Sequence, residues 1–461
     1  MTTDNLKYQH YNICCKTLTP IHIGSGEILA SIGDYYVGSN KLYYIDKEKL
    51  DRRLESINDE EFLNDYVNEI KKNVNLSKSD FSIVTFLKNK GVELSEITSD
   101  HEIPILSENY DSHRNSQLKL AIKQKQKLYF PGSSIKGALK TVLFYSFVKN
   151  NPDTLNRWKK LIFDSDKKSV YNSHWIKDIE NVFNGFMKGE KSDYNLLRIN
   201  DTGIFDDRYV GIWKACRFHF YNKNEEMLEW LFEGIKSDTS FNLEITLLPE
   251  FKTDFLKCFN KNDIANLFKL CNDFSKKQLE IEIDEINKSS LSKDGKEKIL
   301  SNLKQLLELT NSQGQAILRI GAGKSFFYNT ISSLLDKEHF EKLRGMIKIG
   351  KTEESTFPLS RTFTSEYESP GWILLEMPKE KEIELPVNTV EKIEINETIL
   401  KAVILGNKKV AININSKVLD NVQLVLTNFQ KALELKKGDG LEVFVKEMSK
   451  DGRITMVGIK D

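Results

Sequence analysis

Phe130-Pro131-Gly132-Ser133-Ser134-Ile135-Lys136-Gly137-Ala138-Leu139-Lys140 reads as a glycine turn that opens a helix. Ile135, Leu139, Val142 and Phe147 recur at helical spacing, so the spacing predicts a helix over Ser133 to Val148 with that stripe buried. Ser133 or Ser134 is a natural N-cap for it. Backbone N–H groups at such a turn, with Lys136 beside them, can be aimed at a phosphate. A second turn, Ile320-Gly321-Ala322-Gly323-Lys324-Ser325, offers the same combination after a short apolar run. An anionic ligand is the first expectation.

Working outward, Tyr11 to Ile23 is β-prone and ends at Gly24-Ser25-Gly26, and Tyr35 to Ile45 reads as a hairpin around Gly38-Ser39-Asn40. Residues 47 to 89 are charged with apolar positions at helical spacing, consistent with a helical insertion. Leu196 to Ile199, Cys216 to Tyr221 and Phe241 to Leu248 are strand candidates, with an acidic helical segment between the last two. Residues 254 to 310 read as several helices, and Trp372 to Glu376 as a further strand. Strands interspersed with helices indicate an α+β fold. From Glu397 onward the pattern changes to about five short alternating strands, which suggests a small OB-like or S1-like barrel after a linker at 380 to 396.

The 461 residues suffice for several domains, with 39% hydrophobic residues for their cores. Sixty-seven basic and 67 acidic residues cancel, so only local charge can recruit a polyanion. From Asp111 to Lys140 the bases Arg114, Lys119, Lys123, Lys125, Lys127, Lys136 and Lys140 face the single acid Asp111. A solvated helix face is the alternative for Lys119 to Lys127. No stretch has the apolar length of a membrane span or signal peptide, so a cytoplasmic protein without membrane contact is expected. The five cysteines, Cys14, Cys15, Cys216, Cys258 and Cys271, form no CxxC pair, so neither a disulfide framework nor a metal site is expected.

Gly321-Ala322-Gly323-Lys324-Ser325 mimics the end of a Walker A loop, but that motif needs glycine six positions before the lysine, where Leu318 stands. The loop is therefore not expected to wrap a nucleotide triphosphate, and no cofactor is expected. His22, beside Gly24, Ser25 and Gly26, is either a packed or capping histidine or the base of a metal-free ribonuclease. Asp201, with Asp206 and Asp207 behind it, is either a turn residue or part of a metal-binding carboxylate cluster, and Asp34 belongs with it in the metal alternative.

Four motifs in order, Thr19-Pro20-Ile21-His22-Ile23-Gly24-Ser25-Gly26, the stretch 130 to 140, Leu196-Leu197-Arg198-Ile199-Asn200-Asp201-Thr202, and Leu318-Arg319-Ile320-Gly321-Ala322-Gly323-Lys324-Ser325-Phe326-Phe327-Tyr328-Asn329-Thr330-Ile331, resemble the RAMP proteins of CRISPR systems. Within that superfamily the set is most similar to the fifth Csm subunits of type III-A effector complexes. The resemblance implies two ferredoxin-like, RRM-related domains with helical insertions, at 1–195 and 196–379, with the barrel at 397–461 as a departure from the family pattern. It also implies a non-catalytic subunit that binds crRNA and caps its 3′ side, supporting assembly and crRNA maturation in antiviral defence. The implied partners are crRNA, other Csm-type subunits, above all the backbone RAMP subunit, and host nucleases. The implied RNA-binding residues are His22, Gly24, Ser25, Gly26, Ser133, Ser134, Lys136, Lys140, Arg319, Gly321, Gly323 and Lys324. An endoribonuclease acting on crRNA precursor or target RNA is the alternative.

Overall fold

In the computed structural model the helix after Pro131 runs Gly132–Lys149 and is buried on nearly every side except at Ser133, Gly137, Lys140 and Lys149. The structure describes residues 9–38, 40–57, 59–73, 83–107, 117–164, 197–220, 226–247, 263–324, 326–347, 360–377, 387–388, 393–406, 409–414, 417–425, 440–449 and 453–459. Several expectations lie outside these residues: Asp111 and Arg114 of the basic run, Cys258 with the start of the 254–310 helical stretch, and Ser325.

The chain forms two compact units, Met1–Pro378 and Lys379–Asp461. In chain order the first holds β1 (Gln9–Thr17), β2 (Gly24–Ala30), β3 (Tyr35–Gly38), β4 (Lys41–Ile45), α1 (Lys47–Ile57), α2 (Glu60–Asn73), α3 (Ile83–Asn89), β5 (Thr98–Pro104), β6 (Gln117–Ala121), β7 (Lys123–Gln124), β8 (Lys127–Leu128), α4 (Gly132–Lys149) and α5 (Pro152–Asp164). It continues with β9 (Leu197–Ile199), β10 (Val210–His219), β11 (Glu226–Ile235), β12 (Ser240–Leu247), α6 (Ile264–Lys288), α7 (Lys293–Leu309), β13 (Gln315–Arg319), α8 (Phe326–Asn329), α9 (Lys337–Ile347), β14 (Ser360–Thr364) and β15 (Trp372–Glu376).

Two five-stranded sheets organise this unit, one in the order β13-β15-β1-β12-β9 and the other β14-β10-β11-β6-β2. Each takes strands from both sides of residues 195 and 196, so the two halves of the sequence are interleaved. In the first sheet all pairings are antiparallel. Alternation divides its faces: Ile13 and Cys15 of β1 and Leu243 and Ile245 of β12 turn into a core shared with Ile135 and Leu139 of α4 and Phe274 of α6. His10, Asn12, Cys14, Asn242 and Glu244, at the alternate positions, are exposed. That sheet therefore presents one polar, open face.

The hairpin β3–β4, the insertion helices α1 to α3 and strand β15 fall where the sequence indicates. Three local expectations are corrected. The acidic segment between β10 and β12 is strand β11, not helix. Leu228, Trp230 and Phe232 alternate with Glu229, Leu231 and Glu233 along it, and Lys214 and Lys123 pair with the two glutamates at 2.8 Å each, so tertiary ion pairs override the helical preference of glutamate. Strand β1 ends at Thr17 rather than Ile23, because Pro20 lacks the N–H for a ladder, and between it and β2 the chain makes a single bridge from Ile21 to Ile235. The lysines at 119 to 127 lie on β6 and on the β7–β8 ribbon, not on a helix.

The second unit contains β16 (Val387–Asn388), β17 (Ile399–Gly406), β18 (Lys409–Ile414), β19 (Lys417–Val425), β20 (Gly440–Met448) and β21 (Ile454–Ile459). Its strands close in the ring β17-β18-β19-β21-β20 and back to β17, a five-stranded barrel in which only β19 and β21 run parallel. Leu400, Ile404, Val410, Ile412, Val443 and Val445 are among the residues filling its interior. Part of the expected linker, Val387–Asn388, adds a short parallel strand beside β18.

Candidate functional site

Helix α4 is capped from a distance. Pro131, not a serine, occupies the N-cap position and makes no side-chain cap bond. Instead the Gly132 N–H donates to Asp201 Oδ1 at 2.7 Å, from the turn that follows β9. Phe130 N–H donates to Thr202 Oγ1 at 2.9 Å, and Thr202 N–H returns a bond to the Phe130 carbonyl at 3.0 Å. The two segments approach so closely that a Cβ on Gly132 would lie 2.3 Å from the Ile199 carbonyl oxygen, which is why glycine stands there. Asp201 is thus a cap in trans, placing its negative charge at the positive end of the helix.

This clasp gathers cations. Ser133 and Lys140 are exposed and Ser134 and Lys136 half-buried on the first turns of α4, while Arg198 is exposed on β9, directly before the capping turn. Burial lowers the Lys136 ammonium below its ordinary pKa, and repulsion from Lys140 and Arg198 lowers it further. Like charges gathered this way destabilise one another until an anion neutralises them. Arg198 has no expected role from its motif; its signal in the sequence is the alternation in Leu197-Arg198-Ile199, which turns the arginine away from the core residue Leu197.

The other two motifs meet at His22. Ala322 N–H donates to the His22 carbonyl at 2.8 Å, and Gly321, at φ 69°, would carry a Cβ only 2.3 Å from that same oxygen. Gly371 N–H donates to the Pro20 carbonyl and the Gly371 carbonyl accepts from Ile320 N–H, so residues 20 to 22, 320 to 322 and 371 form one clasp. The His22 ring is buried. Its Nδ1 donates to the Glu233 carbonyl at 2.6 Å, it packs 5.5 Å from Phe232, and burial lowers its pKa. It is a neutral, packed histidine. Gly24, Ser25 and Gly26 beyond it are exposed at the start of β2.

Arg319 also points inward. Its Nε donates to the Pro370 carbonyl at 3.0 Å and its Nη2 to the Gly323 carbonyl at 3.1 Å, and the guanidinium lies over Tyr328 and Trp372. Glu282, wholly buried, stands 3.7 Å from Arg319 and 3.5 Å from Arg361 and accepts the Tyr328 hydroxyl at 2.8 Å. Arg319 therefore holds the glycine loop in shape. Lys324 is the loop's remaining cation: half-buried, with its pKa lowered to about 8 by burial and by Arg319.

Much of the basic run is engaged within the protein. Lys119 lies 4.1 Å above the Trp230 ring, Lys123 pairs with the buried Glu233, and Lys127 lies 3.6 Å from Asp207. Glu233 also accepts the Tyr44 hydroxyl and the Ala121 N–H. Asp34 accepts from Ala30 N–H and pairs with Lys47 at 2.7 Å, a turn role. Among the described residues, no three His, Cys, Asp or Glu side chains are grouped to hold a metal ion, and no helix is long and apolar enough to cross a membrane.

The interleaved sheets with glycine clasps and a basic helix start define a class: the RAMP superfamily model matches residues 14–328, and the chain belongs to that superfamily. It is 26% identical over 352 residues to the CRISPR system Cms protein Csm5 of Methanocaldococcus jannaschii, covering 72% of this chain and 76% of that protein. It is 24% identical over 250 residues to Csm5 of Streptococcus thermophilus, covering 52% and 64% respectively. Among solved structures, the fold is similar to a chain of a Csm-crRNA-target RNA ternary complex of a type III-A CRISPR-Cas system, with TM-score 0.57, 18% identity, and 79% of this chain and 100% of that chain covered. It is likewise similar to T. onnurineus Csm5, with TM-score 0.53, 17% identity, and 78% and 99% covered.

Proposed function

We propose that this chain is a non-catalytic crRNA-binding subunit of a type III-A Csm effector complex, capping the 3′ side of the guide and supporting its maturation in antiviral defence. Its partners are crRNA, other Csm-type subunits, chiefly the backbone RAMP subunit, and host nucleases, and it acts in the cytoplasm. The similarity to two Csm5 proteins supports the complex. The observation that carries RNA binding is the cation group Lys136, Lys140 and Arg198 at the clasped start of α4. Gly24, Ser25 and Gly26, Ser133 and Ser134, and the Gly321-Gly323-Lys324 loop extend the contact along the sugar-phosphate backbone, leaving the bases free to pair.

The fold supports two ferredoxin-like, RRM-related units built from interleaved stretches. In the first, β15-β1-β12-β9 follows the order 4-1-3-2 of a βαββαβ unit with α4 and α6 as its helices. The ring order of the C-terminal barrel is that of an OB-like fold. The non-catalytic reading rests on the fate of the rival residues: His22 is packed, and Asp34 and Asp201 serve turns and a cap. His22 and Arg319 shape the RNA-binding loops from within instead of touching RNA.

Binding of a fluorescent single-stranded RNA across a salt series tests this. At about 0.7 log-log units per phosphate contact, roughly four contacts give a slope near about −3, and Lys136→Ala with Lys140→Ala should reduce it by about 1.4. Salt-independent binding would overturn the proposal, and so would RNA cleavage by the pure protein that His22→Ala abolishes.

A further inference from the structure

Strand β9 and the residues after it do more than cap α4. Arg198 and Asn200 line a cleft of about 460 Å³ on the open face of the first sheet, together with His10, Asn12 and Glu244. That volume lies in the range of small-molecule and nucleotide sites. Asn12 and Glu244 are directly opposite in the register of β1 and β12, and the His10 ring is steadied by a 2.9 Å bond between its Nδ1 and Thr246 Oγ1. Asn200 Nδ2 donates to Glu244 Oε2 at 2.5 Å, and Asn200 N–H to the Glu244 carbonyl at 3.2 Å. The next residue is Asp201, the cap of α4. The single stretch from β9 to Asp201 thus carries the rim arginine, the amide that orients Glu244 and the cap of the helix start.

We propose that this cleft seats a single unpaired RNA base and discriminates against uracil. The proposal rests on the RNA-binding function above and adds base selectivity to a contact otherwise blind to sequence. Arg198 belongs both to the cation group of α4 and to the cleft, so a phosphate held by Lys136, Lys140 and Arg198 puts its own nucleotide at the rim. Glu244 excludes the phosphate from the cleft itself by repulsion, which leaves the base to enter. An ionised carboxylate only accepts hydrogen bonds, so it favours a base edge carrying an exocyclic amino group. Cytosine presents N4–H₂ there. Uracil presents O4, which the carboxylate repels. The His10 ring offers a face at the same site for stacking.

Fluorescence anisotropy of the full-length protein with 12-nucleotide oligo-C and oligo-U at one salt concentration tests the cleft. Wild type should bind oligo-C roughly fivefold or more tightly than oligo-U. Glu244→Gln, whose amide can donate to O4, and Glu244→Ala, which removes the repulsion, should each bring the ratio toward one. Lys136→Ala with Lys140→Ala should weaken both ligands and keep the ratio. Equal binding of oligo-C and oligo-U by wild type overturns the inference and leaves the RNA-binding function standing, as does a ratio unmoved by both Glu244 variants. Absence of binding to either RNA overturns that function and the inference with it.

Discussion

The two glycine turns look alike in sequence and do opposite things with their charge. At α4, glycine lets two backbones close on each other, the carboxylate of Asp201 caps the helix, and Lys136, Lys140 and Arg198 are left at or near the surface. At residues 320–324, glycine lets the loop settle on the His22 carbonyl, and the arginine is drawn inside against Glu282, Pro370 and Gly323. The first is a charged surface built on a clasp held by the Asp201 carboxylate. The second is a charged core that supports the loop, and among the described residues of that loop Lys324 is a half-buried cation. A glycine beside a cation therefore indicates close backbone approach, but which way the cation faces depends on what packs behind it.

The largest expected effect breaks the second region. Glu282→Gln leaves Arg319 and Arg361 buried beside a neutral amide, and should cost about 3–5 kcal/mol of stability, read by chemical denaturation. A loss under about 1 kcal/mol would mean that the carboxylate does not hold the loop. Next, glycine replacements separate the two roles of that residue type. Gly321→Ala meets backbone at 2.3 Å in a left-handed conformation and should destabilise by about 1–3 kcal/mol. Gly137→Ala, on the exposed face of α4 with open space around its Cβ, should stabilise by up to about 1 kcal/mol. Equal signs would erase the contrast.

The smallest effect concerns pH. Lys324, with a pKa of about 8 against an ordinary value near 10.5, is charged below pH 8 and loses its proton as pH rises through that value. RNA affinity should therefore fall by a few-fold between pH 7 and 9, since the neutral amine no longer offsets a phosphate. Lys324→Arg, charged throughout, should flatten the step. A step of unchanged size in that variant would assign it to another group, with Lys136, whose pKa is also lowered, the first to examine.

Legibility followed the range of the interactions. Helix α4 and strand β15 could be read because their apolar spacing is local, and the barrel strands because turns punctuate short alternating runs. Strand β11 could not, since Glu229 and Glu233 are acceptable in a strand only when paired with Lys214 and Lys123. The N-cap was misread for a similar reason: Ser133 and Ser134 are close in sequence, but Asp201, about seventy positions away, is the group that reaches Gly132. Among the expected site residues, His22 and Arg319 are buried, and Arg198 and Asn200, which went unassigned, stand beside Lys136 or line the open cleft.

By itself the sequence determined helix α4 and the insertion helices, the presence of a barrel after the main unit, and the order of four motifs that identifies the superfamily. These follow from periodicity and from residue types that only certain backbones tolerate. Tertiary structure alone decided that the halves interleave, that the motifs join in pairs, 130–132 with 199–202 and 20–22 with 320–322, and which cations face outward. Burial and long-range hydrogen bonds are properties of which surfaces meet, and nothing in the spacing of residues along the chain encodes that meeting directly.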